Sequence, residues 1–418
     1  MASNTTREVL FDLSPVLIVY TDGTVERLMG TPNVPPSPED STTGVASKDI
    51  IVLSPEVKAR LFLPKLVDPT QKLPVLVYYH GGGFIVDSPY CLNFHRYMNI
   101  LAAEAKALII SVEYRLAPEH LLPIAYEDSW TAIQWVASHA IANANIEKDP
   151  WVTKHGDFGK LYIGGDSAGA NIAHNIVLRT GVEPLPGDVK ILGLFLSCPY
   201  FWGSKPVGSQ SKNDLKGFAY KVWMCVYPSA AGGIDNPMIN PFAEDAPCLS
   251  GLACSRLLVC LAVKDAFTPR GILYVETMKK SGWNGEMQLA VVDGEDHEFH
   301  VNDPYSEKAK DLIQNMASFI SKSGIEIQQK TSWTQANSEK RFLTCTQSLQ
   351  NGSCGNFSWC DPPMYHKSIE IMPGLLKSRN AYEKQVLKLQ RQNNVFEFKS
   401  WVFGFLCGCV IMWIFGGK

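Results

Sequence analysis

The sequence predicts an α/β fold, a mainly parallel, twisted sheet flanked by helices. Three observations carry that expectation. Apolar runs of strand length recur along the chain, separated by helical patterns of about 10 to 14 residues, the spacing of βαβ units. Leu73–Tyr79 is a continuous apolar run closed by His80 and three glycines, which suits a strand buried on both faces. Finally, Gly165–Gly169 forms a glycine-flanked turn between a strand pattern and a helix pattern. No internal repeat is visible.

In chain order, residues 1–45 are rich in Pro, Ser and Thr and read as an irregular N-terminal arm or cap. Asp49–Leu53 and Lys58–Leu63 are β-branched or alternating and bounded by prolines, so both read as strands. Beyond Leu73–Tyr79, helices are expected over Phe94–Ala105, Tyr126–His139, Ala168–Arg179, Gly271–Ser281 and Glu307–Ser321. Strands are expected over Leu108–Glu113, Lys160–Gly164, Ile191–Cys198, Arg256–Val263 and Met287–Val292. Residues 46–323 thus form one catalytic-sized domain. Residues 324–418 change character: eleven basic against six acidic residues make this extension +5, and it ends in the apolar stretch Trp401–Phe415.

Composition narrows the function classes. Of 418 residues, 46% are apolar and 19% charged, enough for a large core and incompatible with global disorder. A net charge of −3 argues against a dedicated nucleic-acid binder. Eleven cysteines without framework spacing suggest reduced thiols. The first residues show no charged-then-apolar leader, so a cytoplasmic location is expected and the sequons at Asn4, Asn351 and Asn356 should stay unmodified.

The chemistry centres on Gly165-Asp-Ser-Ala-Gly169, the Gly-x-Ser-x-Gly pattern between strand and helix that exposes a nucleophilic hydroxyl. The turn is tight enough that side chains two residues either side of Ser167 would collide. His80-Gly81-Gly82-Gly83 ends an earlier strand, where glycines let several N–H groups point one way, as an oxyanion requires. A serine needs a base and an acid to orient that base, in the order Ser, Asp/Glu, His. Asp265 follows a strand pattern, and His297 follows another. His300 is a rival base, but its apolar neighbours Phe299 and Val301 suggest a packed side chain. Glu295 and Asp296 compete with Asp265, although they adjoin the histidine and reach its Nδ1 poorly. No metal or organic cofactor is required.

These elements, with Tyr114-Arg-Leu-Ala-Pro-Glu119 and His297-Glu-Phe299, resemble the hormone-sensitive-lipase branch of the α/β-hydrolases. Over about residues 8 to 322 the chain is similar to plant carboxylesterases, the group that includes 2-hydroxyisoflavanone dehydratases and gibberellin receptors. The resemblance implies an α/β-hydrolase fold, with Ser167 as nucleophile, His297 as base and Asp265 as orienter. It also implies an oxyanion hole of Gly82, Gly83 and Ala168, with His80 and Gly81 supporting the loop and Arg115 and Glu119 as structural ties. The implied activity is a serine carboxylesterase acting on small-molecule esters. A dehydratase acting on a flavonoid in the same pocket is the alternative. The receptor reading is weakened because receptors of this group lack the histidine retained here at His297.

Specificity is expected from the arm and from the insertion Pro199–Cys254. The insertion's Tyr200, Phe201, Trp202, Trp223 and Tyr227 either line an apolar pocket or seal the cap onto the domain. Trp130 and Trp135 read as core. Trp401–Phe415 spans 15 residues, short of the usual membrane helix of about 20. It reads either as a short C-terminal anchor with the enzyme facing the cytosol or as an end without membrane contact. Cys345, Cys354, Cys360 and His366 lack the close spacing of a zinc site.

Overall fold

The computed structural model describes residues 7–52, 56–144 and 146–321, together with the backbone of three strands beyond them. In chain order the first described unit contains β1 (Val9–Leu13), β2 (Leu17–Tyr20), β3 (Val25–Arg27), β4 (Ala46–Ile51), β5 (Lys58–Leu63) and β6 (Leu73–Tyr79). There follow α1 (Leu92–Ala105), β7 (Leu108–Glu113), α2 (Ile124–Ser138), α3 (Pro150–His155), β8 (Gly156–Asp166) and α4 (Ala168–Thr180). The remainder is β9 (Ile191–Ser197), α5 (Phe218–Val226), β10 (Cys254–Ala262), α6 (Thr268–Lys280), β11 (Glu286–Val292), α7 (Phe299–Asn302) and α8 (Glu307–Ser321).

Eight strands form one sheet in the order β11-β10-β9-β8-β6-β7-β5-β4. The six from β11 to β7 run parallel, while β5 pairs antiparallel with both β7 and β4. Successive side chains of a strand face opposite ways, and both faces are covered. Val75, Val77 and Tyr79 of β6 join Trp130 of α2, Ile172 of α4 and Tyr274 of α6 in one core. Leu76 and Tyr78 join Phe94 and Tyr97 of α1 and Met316 of α8 in the other. Continuous apolar runs in the sequence are the consequence of this two-sided burial.

The first 45 residues depart from the irregular arm expected of them. β1, β2 and β3 form an antiparallel sheet whose Leu13, Leu17 and Val19 are buried in the core shared with Trp130. The Thr21-Asp22-Gly23 turn closes the second hairpin, with Gly23 at φ +83° and the Asp22 carboxylate accepting from Thr24 N–H. These strands are short, so their apolar alternation is submerged in the surrounding Pro, Ser and Thr. Elsewhere the strand expected over Lys160–Gly164 extends from Gly156 to Asp166.

A second unit begins at Gly324; in it β12 (Ile327–Thr331), β13 (Arg341–Cys345) and β14 (Phe357–Trp359) form an antiparallel sheet. No helix among the described residues is long and apolar enough to cross a membrane. Trp401–Phe415, Cys354, Cys360 and His366 lie outside the described residues.

Candidate active site

Ser167 sits between the end of β8 and the start of α4 at φ +52° and ψ −114°, a strained backbone conformation for a residue with a Cβ. Its N–H donates to Ser197 O at 2.9 Å, tying the turn to β9. The flanking glycines are sterically required. A Cβ on Gly165 would stand 2.4 Å from the Gly169 carbonyl carbon, and one on Gly169 would stand 2.0 Å from Tyr79 O.

The histidine and its acid arrive from the carboxyl ends of neighbouring strands. Asp265 follows β10, is 4% exposed, and accepts from Phe267 N–H at 2.9 Å. His297 follows β11. Its Nδ1 faces Asp265 Oδ2 at 2.8 Å, and its Nε2 faces Ser167 Oγ at 2.9 Å. The Phe267 ring packs on the imidazole, 5.1 Å between centroids. Burial works against charge on His297, but the hydrogen bonds to Asp265 and Cys198, together with electrostatic attraction from Glu298 and Asp265, outweigh it and hold the imidazole's basicity well above the ordinary value.

The rival groups are engaged elsewhere. His300 is fully buried, with Nε2 at 2.8 Å from Asp166 Oδ1, while Tyr78 donates to the other Asp166 oxygen. Glu295 pairs with Lys308 at 3.0 Å, and Asp296 accepts from the His297 N–H at 2.7 Å. Neither reaches the imidazole Nδ1.

His80-Gly81-Gly82-Gly83 follows β6, in line with the strand that flanks β8. Gly82 adopts φ +91°, and a Cβ there would lie 2.2 Å from Val86 O, so the loop folds back on itself too closely for any side chain. Among the described residues no backbone carbonyl accepts from the N–H of Gly82 or Gly83. Ala168 N–H opens α4 and has no acceptor within its own helix. His80 is buried and stacks on Tyr114 at 4.2 Å, with Nδ1 against Gly81 O at 2.8 Å. Burial pushes its pKa down to about 4, so it is a neutral brace. Tyr114 donates to His80 O at 2.8 Å, fixing the same loop from outside.

The charged residues of the Tyr114–Glu119 segment are taken up in ion pairs. Arg115 forms a two-pronged ion pair with buried Asp128, and Glu119 takes the Arg27 guanidinium of β3. Arg27 also donates to Ile85 O at 2.7 Å, so the arm is tied to the loop beyond the glycines.

A cavity of about 540 Å³ opens onto Ser167, Gly82, Gly83 and His297. The aromatic side chains of the insertion divide between the two roles expected of them. Tyr200 and Trp202 line the cavity, whereas Phe201 and Trp223 are packed in the core and Tyr227 against it. Val16 and Met29 of the arm also line it. Trp130 and Trp135 are core residues.

Two cavity carboxyls have no counterpart in the sequence reading. Glu298, at φ +51°, is pressed against Gly81, and its pKa is pushed up to about 8 by burial. Asp87, at φ +69°, stands four residues beyond Gly83 beside Gly82. The only available signal was an acid adjoining His297 in one case and following a glycine run in the other. Among the described residues the one cluster with metal-donor atoms in reach of each other is Cys198, Asp265 and His297, within 4.8 Å. Its imidazole nitrogens already face Asp265 and Ser167, and burial pushes the Cys198 thiol up, which disfavours the thiolate a metal would need.

Residues 76–301 match the family model described as the alpha/beta hydrolase fold. The chain belongs to the α/β-hydrolases. This hydrolase is 52% identical to a 2-hydroxyisoflavanone dehydratase of Glycyrrhiza echinata, over 76% of its own length and 98% of that protein. A protein of the same description from Glycine max is 50% identical over 75% of this chain and 99% of the relative. A catharanthine synthase of Catharanthus roseus is 46% identical, with 76% and 97% covered. Among solved structures, an esterase of Pyrobaculum calidifontis superposes with a TM-score of 0.53 at 27% identity, covering 66% of this chain and 84% of that one. The hydrolase is therefore a plant carboxylesterase-like member of the hormone-sensitive-lipase branch.

Proposed function

We propose that this hydrolase is a serine carboxylesterase that cleaves small-molecule carboxylic esters through an acyl-enzyme. The observation that carries the proposal is the unbroken line from Asp265 Oδ2 through the imidazole of His297 to Ser167 Oγ, with contacts of 2.8 and 2.9 Å. His297 Nε2 takes the hydroxyl proton as Ser167 Oγ attacks the ester carbonyl carbon. The negative charge that develops on the carbonyl oxygen is received by the amides of Gly82, Gly83 and Ala168. The alcohol departs with the proton held by His297, and a water attacks the acyl-serine by the same route in reverse. Ser167→Ala lowers hydrolysis of a short p-nitrophenyl ester by at least about 10⁴-fold with the fold retained. Undiminished turnover by a properly folded variant rejects the assignment.

A second reading is favoured by the relatives named 2-hydroxyisoflavanone dehydratase. In the same cavity His297 would remove a proton next to a ketone, the amides would hold the enolate, and the hydroxyl on the adjoining carbon would leave as water with the proton returned from His297. Parallel assays with 2,7,4′-trihydroxyisoflavanone and a simple acyl ester separate the two activities. We propose, too, membrane contact through residues 401–415 with the enzyme facing the cytosol; carbonate extraction of membranes tests the contact, and protease accessibility in sealed vesicles tests the facing.

A further inference from the structure

We infer that the cavity selects substrates carrying a positively charged, ammonium-type group on an apolar ring, and that Asp87 is the residue that confers this preference. The inference rests on the esterase reading of the same cavity and gives it a substrate class. The starting observation is one of charge. Among the described residues five carboxyl residues line the cavity, Asp87, Asp214, Asp265, Asp296 and Glu298, and no lysine or arginine does. A cleft bearing one sign of charge between low-dielectric walls focuses its potential on whatever enters.

The five are not equivalent. Asp265 is engaged with His297, and Asp296 with the His297 backbone. Glu298 is kept protonated at neutral pH by burial. Asp214 is exposed and accepts from Ser211 N–H at 2.6 Å. Asp87 is the one left with only a weak partner, and burial raises its pKa as well. It is half-buried and flanks the oxyanion loop, its Oδ2 lying 3.1 Å from where a Cβ of Gly82 would be. The side-chain partner of its carboxyl among the described residues is the Cys91 thiol, a weak donor. Arg27 shares the adjoining groove, but its guanidinium is committed to Ile85 O, Ala117 O and Glu119.

A carboxylate withdrawn from water without a cation is unfavourable. Its backbone is held at φ +69°, in a region few side chains adopt, and such strain concentrates at functional positions. A cationic group on the substrate supplies the missing partner. Trp202, Phe218 and Phe267 contribute aromatic surface to the same cavity, which favours an ammonium group over a carboxylate. Arg270, over the Trp202 ring, is turned onto the carbonyls of Gly203 and Lys205 and does not line the cavity.

The test uses the full chain and three phenyl acetates differing only at the ring's 3-position: trimethylammonio, tert-butyl and carboxylate. The first two are nearly isosteric, but the ammonium group also activates the phenol as a leaving group. Each kcat/KM is therefore taken relative to that ester's own hydroxide-catalysed hydrolysis, and the ratio of these relative values reads recognition of the charge. The expected kcat/KM for the cation exceeds that for the tert-butyl ester by about tenfold, with the carboxylate below both. In Asp87→Asn, a change compatible with positive φ, the cation-to-neutral ratio falls toward one. A ratio near one in the unaltered protein, or an unchanged ratio in D87N, overturns the inference. Binding of 3-trimethylammoniophenol and 3-tert-butylphenol to Ser167→Ala, followed by calorimetry, needs neither turnover nor D87N. Tighter binding of the cation there supports the inference even if no ester is hydrolysed, in which case only the esterase reading fails. Equal binding overturns it.

Discussion

In the proposed mechanism Asp265 acts only through the imidazole, and its effect should be visible in a pH profile. Hydrolysis needs neutral His297, so activity is lost as pH falls through the pKa of that residue. Because Asp265 holds this pKa above its usual 6.5, the acid limb should lie on the alkaline side of that value. Asp265→Asn is expected to lower kcat by about 10⁴-fold and move the acid limb to lower pH; an unmoved limb in steady-state kinetics contradicts this role. Glu298 gives a second pH effect, on stability and with its own sign. Its pKa is raised on folding from 4.5 to about 8, so the protonated form favours the native state. Its contribution is complete below pH 4.5 and is lost as pH rises through about 8. Glu298→Gln should therefore flatten the decline of Tm between pH 5 and about 8.5. An equally steep decline in the variant would show that another group is responsible.

At the level of elements, Ser167, the proposed nucleophile, is presented by the crossing of β6, β8 and α4, where Gly165, Gly169 and Tyr79 lie closer than side chains permit. Gly169→Ala forces a methyl group to 2.0 Å from Tyr79 O, a backbone atom that moves only with the strand. The expected cost is about 3 kcal/mol in urea unfolding, with loss of ester turnover. A variant of normal stability and activity would show that the elbow is looser than its geometry. The His80–Gly83 loop is held by the His80 ring on Gly81 O, by Tyr114 on His80 O, and, just beyond it, by Arg27 of the arm on Ile85 O. That last tie makes the N-terminal hairpins part of the active-site wall, to which Val16 and Met29 also contribute.

For the whole molecule, every residue of the proposed machinery lies within Met1–Ser323, the main segment of the first unit. A chain truncated after Ser323 should keep short-ester turnover within about twofold of the full chain. A collapse of kcat/KM on truncation would assign the extension a part in catalysis. The cavity itself is also a property of the whole. Its walls come from the arm, the oxyanion loop, the Pro199–Cys254 insertion and the loops after β10 and β11, brought together at one end of the sheet.

Much of the protein was legible in order along the chain, because the signals concerned are local. Leu73–Tyr79 and Leu108–Glu113 read as buried strands since both faces of the sheet are covered, and apolar runs record that directly. Gly165–Gly169 and His80–Gly83 were readable because glycines at fixed spacing around a serine and after a buried strand leave a local mark in the sequence, although what crowds them, Tyr79 O at Gly169 for one, arrives from another strand. Other features were settled by tertiary contacts. Composition hid the arm's strands, whose stability comes from packing Leu13 and Leu17 into a distant core. His297 and His300 stand three residues apart, and only the fold turns one toward Ser167 and the other toward Asp166. The charge lining the cavity was likewise invisible, since Asp87, Asp214 and Glu298 meet only in space. A hydrogen bond or a charged wall depends on direction and proximity between remote segments, and neither is encoded in the spacing of residues along a chain.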